Sequence, residues 1–180
     1  YAYDDEGVAA TRADIVLDGV LVGFLMGRSP IPGFEHSNSH GRRQSGYAPT
    51  SRMANLVVSA EQGLSDDELR ALLLLQVQKQ GVEYGVIVDE IAGGFTTTGR
   101  AMPNAFKVHT SEAWRVYADG RPDELVRGID LVGTPLVAFE NLLAAGSVPE
   151  VFNGFCGAES GTVPVSAVSP SLVFSRLEFQ

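Results

Sequence analysis

The chain has 180 residues, of which 44% are hydrophobic and 19% are charged. This is the balance of a globular protein with a core. The net charge of −9 and the pI of about 4.7 give a surface that repels phosphate backbones, which excludes nucleic acid as a direct partner. The longest apolar run, Ala71 to Leu75, is far too short to cross a bilayer, so no membrane partner is expected.

Cys156 is the single cysteine, so an intrachain disulfide is impossible. This fits a reducing compartment, and we expect a cytoplasmic location. The acidic residues Asp4, Asp5 and Glu6 stand where a signal peptide would be basic. Because the chain begins at Tyr1 without Met, we expect it to be a piece of a longer protein.

The first third of the chain predicts a hairpin followed by a long loop. Thr11–Leu17 and Val20–Met26 favour strands, and Asp18-Gly19 between them suits a type I′ turn. Ser29–Ser51 is rich in Pro, Gly, Ser and Asn, which is typical of a long functional or mobile loop. Met53–Val58 predicts a short strand.

A helix is predicted from Ser65 to Gly81. Ser65 stands three residues before Glu68, a spacing that allows each residue to cap the other. Apolar residues then recur at helical spacing, and Gly81 can end the helix.

The remaining sequence predicts strands and a second helix. Gly93–Asn104 and Ser147–Gly161 are predicted loops, and the second helix should run from Thr134-Pro135 to about Ala145. The predicted strands are Tyr84–Ile91, Ala105–Thr110, Ala113–Ala118, Leu125–Val132, Val163–Val165 and Leu172–Phe179. The expected class is α+β, a mainly antiparallel β-sheet with about two helices in a single domain over residues 1–180.

Cys156 lies among glycines at positions 154, 157 and 161, which would let the backbone approach a metal or ligand closely. By residue type alone, a small buried hydrophobe is the more common role of a free cysteine. His36 and His40 are four apart, but Pro and Gly around them argue against a helix that would align them as zinc ligands. His109 is predicted to be a satisfied strand-end histidine.

Two other segments have weaker functional interpretations. Asp4-Asp5-Glu6 favours a solvated acidic turn over a cation site, since a hard cation needs more oxygens around it. Gly93–Gly99 lacks the Lys-Ser/Thr ending of a phosphate-binding loop. HExxH, HExxxH and GxSxG motifs are absent from the sequence, so the residues alone indicate an α+β domain without a complete catalytic set.

Several motifs together resemble the C-terminal region of the TldD/PmbA family, the zinc metallopeptidases also called modulators of DNA gyrase. The resemblance runs from end to end of the chain. The motifs that carry it are Tyr3-Asp-Asp-Glu-Gly7, Ser37-Asn-Ser-His-Gly-Arg42, Ser51-Arg-Met-Ala-Asn-Leu56, Asp119 to Pro135, and Phe152-Asn-Gly-Phe-Cys-Gly-Ala-Glu-Ser-Gly161.

The resemblance implies that Cys156 is a protein ligand of zinc beside two histidines of an upstream HExxxH helix, whose glutamate is the general base. That helix is absent from this chain, so the chain alone is expected to be inactive and to lack zinc. The implied substrates are unfolded or extended peptides, with His40, Arg42 and Arg100 as candidates for lining the cleft. A homodimer or a heterodimer with a family member is expected.

Two alternatives stay open at this point. Members of the PmbA/TldE type lack the zinc motif and act as partners of the TldD type, so this chain could belong to a non-catalytic partner or be a protein-interaction domain. Lys and Gln often follow the cysteine in the family, whereas this chain has Ala158 and Glu159-Ser160. Direct action on gyrase has no support in the charge pattern.

Overall fold

The computed structural model describes residues 1–97, 99 and 101–180. These residues form two compact units. One comprises Tyr1–Ser59 and Glu150–Ser169, and the other comprises Ala60–Pro149 and Pro170–Gln180. We call them the N-terminal unit and the central unit.

The described residues form two helices and a larger number of strands. The helices are α1 (Asp66–Gln80) and α2 (Pro135–Glu140), and neither is long and apolar enough to cross a membrane. The strands are β1 (Val16–Leu17), β2 (Val20–Leu21), β3 (Gly41–Arg42), β4 (Thr50–Ser51), β5 (Asn55–Val57), β6 (Gly85–Thr97), β7 (Ala105–Val116), β8 (Glu124–Val126), β9 (Asp130–Gly133), β10 (Leu142–Ala158), β11 (Gly161–Phe174) and β12 (Glu178–Phe179).

The predicted first hairpin is present in the N-terminal unit, with shorter strands than expected. β1 and β2 pair antiparallel through Val16–Leu21 and Leu17–Val20. Asp18 has φ of 49° and Gly19 has φ of 79°, so both turn residues are left-handed, as a type I′ turn requires. The turn prediction is confirmed.

The acidic segment at the start of the chain forms a turn in which Asp5 is exposed, as expected, but Asp4 is buried and acts as a structural anchor. The buried Asp4 carboxylate accepts hydrogen bonds from the backbone N–H groups of Glu6 (3.0 Å), Val8 (2.8 Å) and Gly41 (3.0 Å). A buried carboxylate is costly unless it is hydrogen-bonded, and these three donors meet that need. The bond to Gly41 joins the first residues to β3.

A three-stranded sheet has the order β10-β11-β5. β11 pairs parallel with β5 in the N-terminal unit, with Ser166 opposite Asn55 and Val168 opposite Val57. Val163 of β11 is 1% exposed and belongs to the small core of this unit, together with Met26 and Ala54. The long strands β10 and β11 also supply residues to the central unit.

The central unit is built on an antiparallel sheet of order β12-β9-β7-β6, with β8 also paired to β7. Ala113 and Val116 of β7 are fully buried. Helix α1 packs on β6 at Gly85, where a Cβ atom would lie 3.0 Å from Val77 and 3.1 Å from Leu73. The expected α+β class with mainly antiparallel strands is confirmed.

Helix α1 begins and ends as its sequence predicts. The Ser65 hydroxyl accepts a hydrogen bond from the Glu68 backbone N–H (3.3 Å), and the Glu68 carboxylate accepts one from the Ser65 backbone N–H (2.8 Å). Gly81 adopts the left-handed conformation that commonly follows a helix. The hydrogen bond from the Ser65 backbone holds the pKa of Glu68 below its ordinary value.

Several predictions for the second half of the chain are wrong. The predicted loop Gly93–Asn104 begins inside β6, which continues to Thr97. The two strands predicted over residues 105–118 are one strand, β7, and the strand predicted over residues 125–132 is divided into β8 and β9. Helix α2 ends at Glu140, and most of the loop predicted over residues 147–161 belongs to β10.

The two glycine-rich segments that were predicted as loops but form strands have a common physical cause. Glycine weakens a strand and usually signals a turn, but Gly93 and Gly94 stay in β6 because β7 supplies paired backbone groups opposite them, with register shifts between Val88 and Gly93. At Gly94 a Cβ atom would lie 2.4 Å from the Lys107 carbonyl oxygen, so this close approach requires glycine. β10 likewise depends on its hydrogen bonds to β11.

The helix cap gives the first testable prediction. Replacing Ser65 by alanine should lower the free energy of unfolding by about 1 kcal/mol at neutral pH, measured by urea denaturation. The pKa of Glu68 is lowered in the fold. Its contribution to the free energy of unfolding is therefore present above its unfolded pKa and is lost as pH falls through its folded pKa. The loss caused by Ser65→Ala should therefore shrink in acid. Ser59→Ala, at an exposed position outside α1, is the control, and an equal loss in both variants would contradict the prediction.

Candidate functional site

Cys156 lies on strand β10 and not in the loop predicted from its glycines. It forms no disulfide within the chain, and the residue is half-buried. Alternation along the strand places Phe152 and Gly154 on the same face as Cys156, and Phe155, which is 77% exposed, on the other. A Cβ atom on Gly154 would lie 2.8 Å from the Phe152 ring. Glycine at this position therefore leaves space for the ring on the face of β10 that carries the thiol.

A buried arginine fixes the turn that follows Cys156. Arg52 is 6% exposed, and its Nη1 donates hydrogen bonds to Ser160 Oγ (3.1 Å) and to the Gly161 carbonyl oxygen (2.6 Å). Its Nη2 donates to the carbonyl oxygen of Cys156 itself. One guanidinium group therefore binds both ends of the connection between β10 and β11.

Gln44 holds the same turn from its other side. Its backbone N–H donates to the Ser160 carbonyl oxygen (2.8 Å), and its Oε1 accepts from the Thr162 N–H (2.9 Å). Gly161 has φ of 83°, and a Cβ atom there would lie 2.6 Å from Gln44 Cβ. The turn thus requires glycine for its backbone conformation and for its contact with Gln44.

His40 and Arg42, two of the predicted cleft residues, also lie in the N-terminal unit. His40 is half-buried, and its Nδ1 lies 2.8 Å from the Asn38 carbonyl oxygen. Its own carbonyl oxygen accepts from the Arg52 backbone N–H at 2.8 Å, which links the histidine to the arginine that holds the Cys156 turn.

Arg42 is buried at 7% exposure and braces the unit internally. Its guanidinium donates to the carbonyl oxygens of Met53 (3.2 Å) and Pro164 (3.0 Å), and Nε lies 3.6 Å from Asp5. The guanidinium also lies 5.2 Å from the centre of the Tyr1 ring. Partial burial raises the pKa of Tyr1, although the charge of Arg42 acts in the opposite direction. The third candidate, Arg100, lies outside the described residues.

The other two histidines are separate from this group. His36 is exposed. His109 lies on β7 in the central unit, where its Nδ1 is 3.0 Å from Asp130 Oδ1. Hydrogen bonds from Lys107, and then from His109, hold the pKa of Asp130 below its ordinary value. His109 is therefore paired with a carboxylate, as a satisfied strand histidine should be.

The described residues do not by themselves form a zinc site. Zinc is held by cysteine, histidine and carboxylate ligands, with three protein ligands in catalytic sites. Across residues 1–97, 99 and 101–180, no three His, Cys, Asp or Glu side chains lie together as a metal site. Cys156 has the donor type of one sulfur ligand of zinc, and the described residues do not complete a set around it.

Arg52, Gln44 and Ser160 have roles that the sequence did not reveal. Arg52 stands inside one of the motifs that carry the family resemblance, which is the one available signal. Arginine is almost never fully buried unless it is paired, and the sequence does not show its acceptors because they lie 104 to 109 residues away.

The turn after Cys156 gives the second prediction. Gly161→Ala should lower the free energy of unfolding by roughly 1–3 kcal/mol, because alanine resists positive φ and its Cβ atom would contact Gln44. The matched control is Gly157→Ala, where a Cβ atom would meet nothing within 4 Å. This change should alter stability by less than about 0.5 kcal/mol. Thermal or urea unfolding measures both, and equal losses would rule out this role of Gly161.

Comparisons with known proteins identify the family. A family model for the PmbA/TldA metallopeptidase C-terminal domain matches residues 1–180. The chain is 31% identical over 172 residues to a protein named Metalloprotease from Methanothermobacter thermautotrophicus, covering 94% of this chain and 35% of that protein. It is 28% identical over 181 residues to the Metalloprotease TldD homolog from Haemophilus influenzae, covering 97% and 34%.

A solved structure shares the fold. The crystal structure of TldE from Thermococcus kodakarensis matches with a TM-score of 0.64 at 16% identity, covering 99% of this chain and 36% of that one. The chain thus spans about a third of the length of the relatives it matches. Since the family model matches it from end to end, the chain belongs to the PmbA/TldA metallopeptidase C-terminal domain family.

Proposed function

We propose that this chain is the C-terminal part of a zinc metallopeptidase and that it supplies Cys156 as one zinc ligand. The observation that carries the proposal is the family match over residues 1–180, which includes the segment around Cys156. A half-buried free thiol on a strand whose following turn is held by Arg52 supports it.

The proposed chemistry divides between this chain and a segment that the chain does not include. Zinc would polarise the peptide carbonyl and acidify a bound water. This chain would contribute the Cys156 thiolate, a soft ligand that suits zinc. Two histidines and the glutamate general base are expected from an HExxxH helix in the remaining part of a longer protein, as the resemblance implies.

The proposed substrate is an unfolded or extended peptide. β10 is at an edge of its sheet, and a strand edge offers backbone groups to which an extended peptide can pair. His40 and Arg100 are the proposed cleft residues. The burial of Arg42 and its two carbonyl acceptors favour a bracing role for that side chain over direct contact with substrate.

We further propose that the protein acts in the cytoplasm and pairs with itself or with another family member. The presence of a single cysteine, which cannot form an intrachain disulfide, agrees with a reducing compartment. The alternative function is a partner subunit that shapes the cleft without holding zinc. Both functions use the same fold, so the zinc content of the full-length protein distinguishes them.

The third prediction tests Cys156 in the full-length protein. Cys156→Ala should cut the zinc-to-protein ratio and abolish peptide hydrolysis, because one of three protein ligands is lost. Cys156→Ser should be nearly as damaging, since a hydroxyl is a poorer zinc ligand than a thiolate. Elemental analysis measures the zinc, and release of fragments from an unfolded peptide measures activity.

The control for this test is His36→Ala, which removes an exposed potential ligand of the same unit and should change neither quantity. Circular dichroism of all variants checks that the fold is kept. An unchanged zinc ratio in Cys156→Ala would reject the proposed ligand and favour the partner subunit without zinc.

The fourth prediction concerns the isolated chain of 180 residues. It should not hydrolyse an unfolded peptide even when zinc is added, because the described residues bring together no metal-binding set and the sequence holds no HExxxH motif. Activity that co-purifies with the chain and disappears in Cys156→Ala would show that the catalytic residues lie within it.

A further inference from the structure

We infer that Arg52 is a positioning residue for Cys156: its guanidinium holds the backbone that carries the thiol and sets where the sulfur points. The inference rests on the proposed function for its consequence, zinc binding. Its structural part, the control of the thiol by Arg52, does not depend on zinc.

All three hydrogen bonds from the Arg52 guanidinium converge on the short segment from residue 156 to residue 161. Nη2 donates to the Cys156 carbonyl oxygen, and Nη1 donates to Ser160 Oγ (3.1 Å) and to the Gly161 carbonyl oxygen (2.6 Å). The hydrogen bond to the Cys156 carbonyl oxygen fixes the peptide group attached to the Cα atom of Cys156. The two other bonds fix the far end of the same segment, so rotation of this segment would break them together.

The Arg52 guanidinium and its acceptors hold one another in position. Among the ion pairs of the described residues, none joins Arg52 to a carboxylate. The buried charge therefore relies on neutral oxygens of the Cys156 segment, and burial without them would be costly. Ser160 is 0% exposed, which leaves this acceptor no alternative contact with water.

The geometry requires arginine and not only a positive charge. A guanidinium presents several N–H donors in a rigid plane, whereas a lysine ammonium is a point charge on a flexible stem. Arg52→Lys therefore keeps the charge but cannot span acceptors at residues 156, 160 and 161 together. Arg42 is the matched control, because it is equally buried in the same unit and also donates to two backbone carbonyls, those of Met53 and Pro164, outside this segment.

The test compares Arg52→Lys with Arg42→Lys in the full-length protein. Zinc is first removed with a chelator, and mass spectrometry then measures the rate at which iodoacetamide modifies Cys156. Zinc affinity is measured separately by chelator competition. The melting temperature of each variant is also recorded. We expect Arg52→Lys to change the alkylation rate several-fold and to weaken zinc binding by about 10- to 100-fold, as loss of a group that orients a ligand does. Arg42→Lys should lower the melting temperature to a similar degree and leave the alkylation rate and zinc affinity within about twofold of wild type.

Equal effects of the two variants on alkylation and zinc affinity, or wild-type values in Arg52→Lys, would overturn the inference. If Arg52→Lys does not fold, Ser160→Ala replaces it: loss of one acceptor should change the alkylation rate of Cys156 relative to wild type, by a smaller factor than the several-fold change above, and no change would reject the role of Arg52. A failure of the proposed function is seen separately, as zinc binding that persists in Cys156→Ala. The difference in alkylation between the arginine variants would stand in that case.

Discussion

The N-terminal unit contains a buried guanidinium group whose acceptors among the described residues are all neutral oxygens. Arg52 is almost fully buried, and its hydrogen bonds go to Cys156, Ser160 and Gly161. A charge removed from water is tolerated only when its donors are satisfied. The β10–β11 connection is therefore held in one conformation, since any other would leave the guanidinium unsatisfied.

The same principle organises the residues at the start of the chain. Asp4 carries the opposite charge, and its carboxylate accepts three backbone N–H groups, one of them from Gly41 of β3. β3 pairs with β4, which directly precedes Arg52. Much of the order in a unit with a small apolar core thus comes from buried polar groups. Such groups specify one arrangement because each alternative leaves a donor or acceptor without a partner.

This arrangement is one that the proposed role of Cys156 as a zinc ligand would need. The thiol lies on a long edge strand, the turn after it is held from both sides by Arg52 and Gln44, and the chain spans about a third of its relatives. A ligand contributed across a boundary between segments must be positioned before the metal binds, because any freedom it loses on binding weakens the site. Under the proposed function, a fixed backbone at Cys156 is thus the physical contribution of this chain.

The sequence by itself determined the features that depend on neighbouring residues: the α+β class, the Asp18-Gly19 turn, and helix α1 with its Ser65 cap and Gly81 end. Cys156 was predicted as a zinc ligand only through family resemblance, because its residue type alone favoured a structural role. Tertiary structure decided that the glycine-rich segments belong to β6 and β10 and that Arg52 reaches acceptors more than 100 residues away. The physical reason is that cap and turn energies arise within a few residues, whereas strand pairing and the satisfaction of buried charges depend on partners that only the fold brings together.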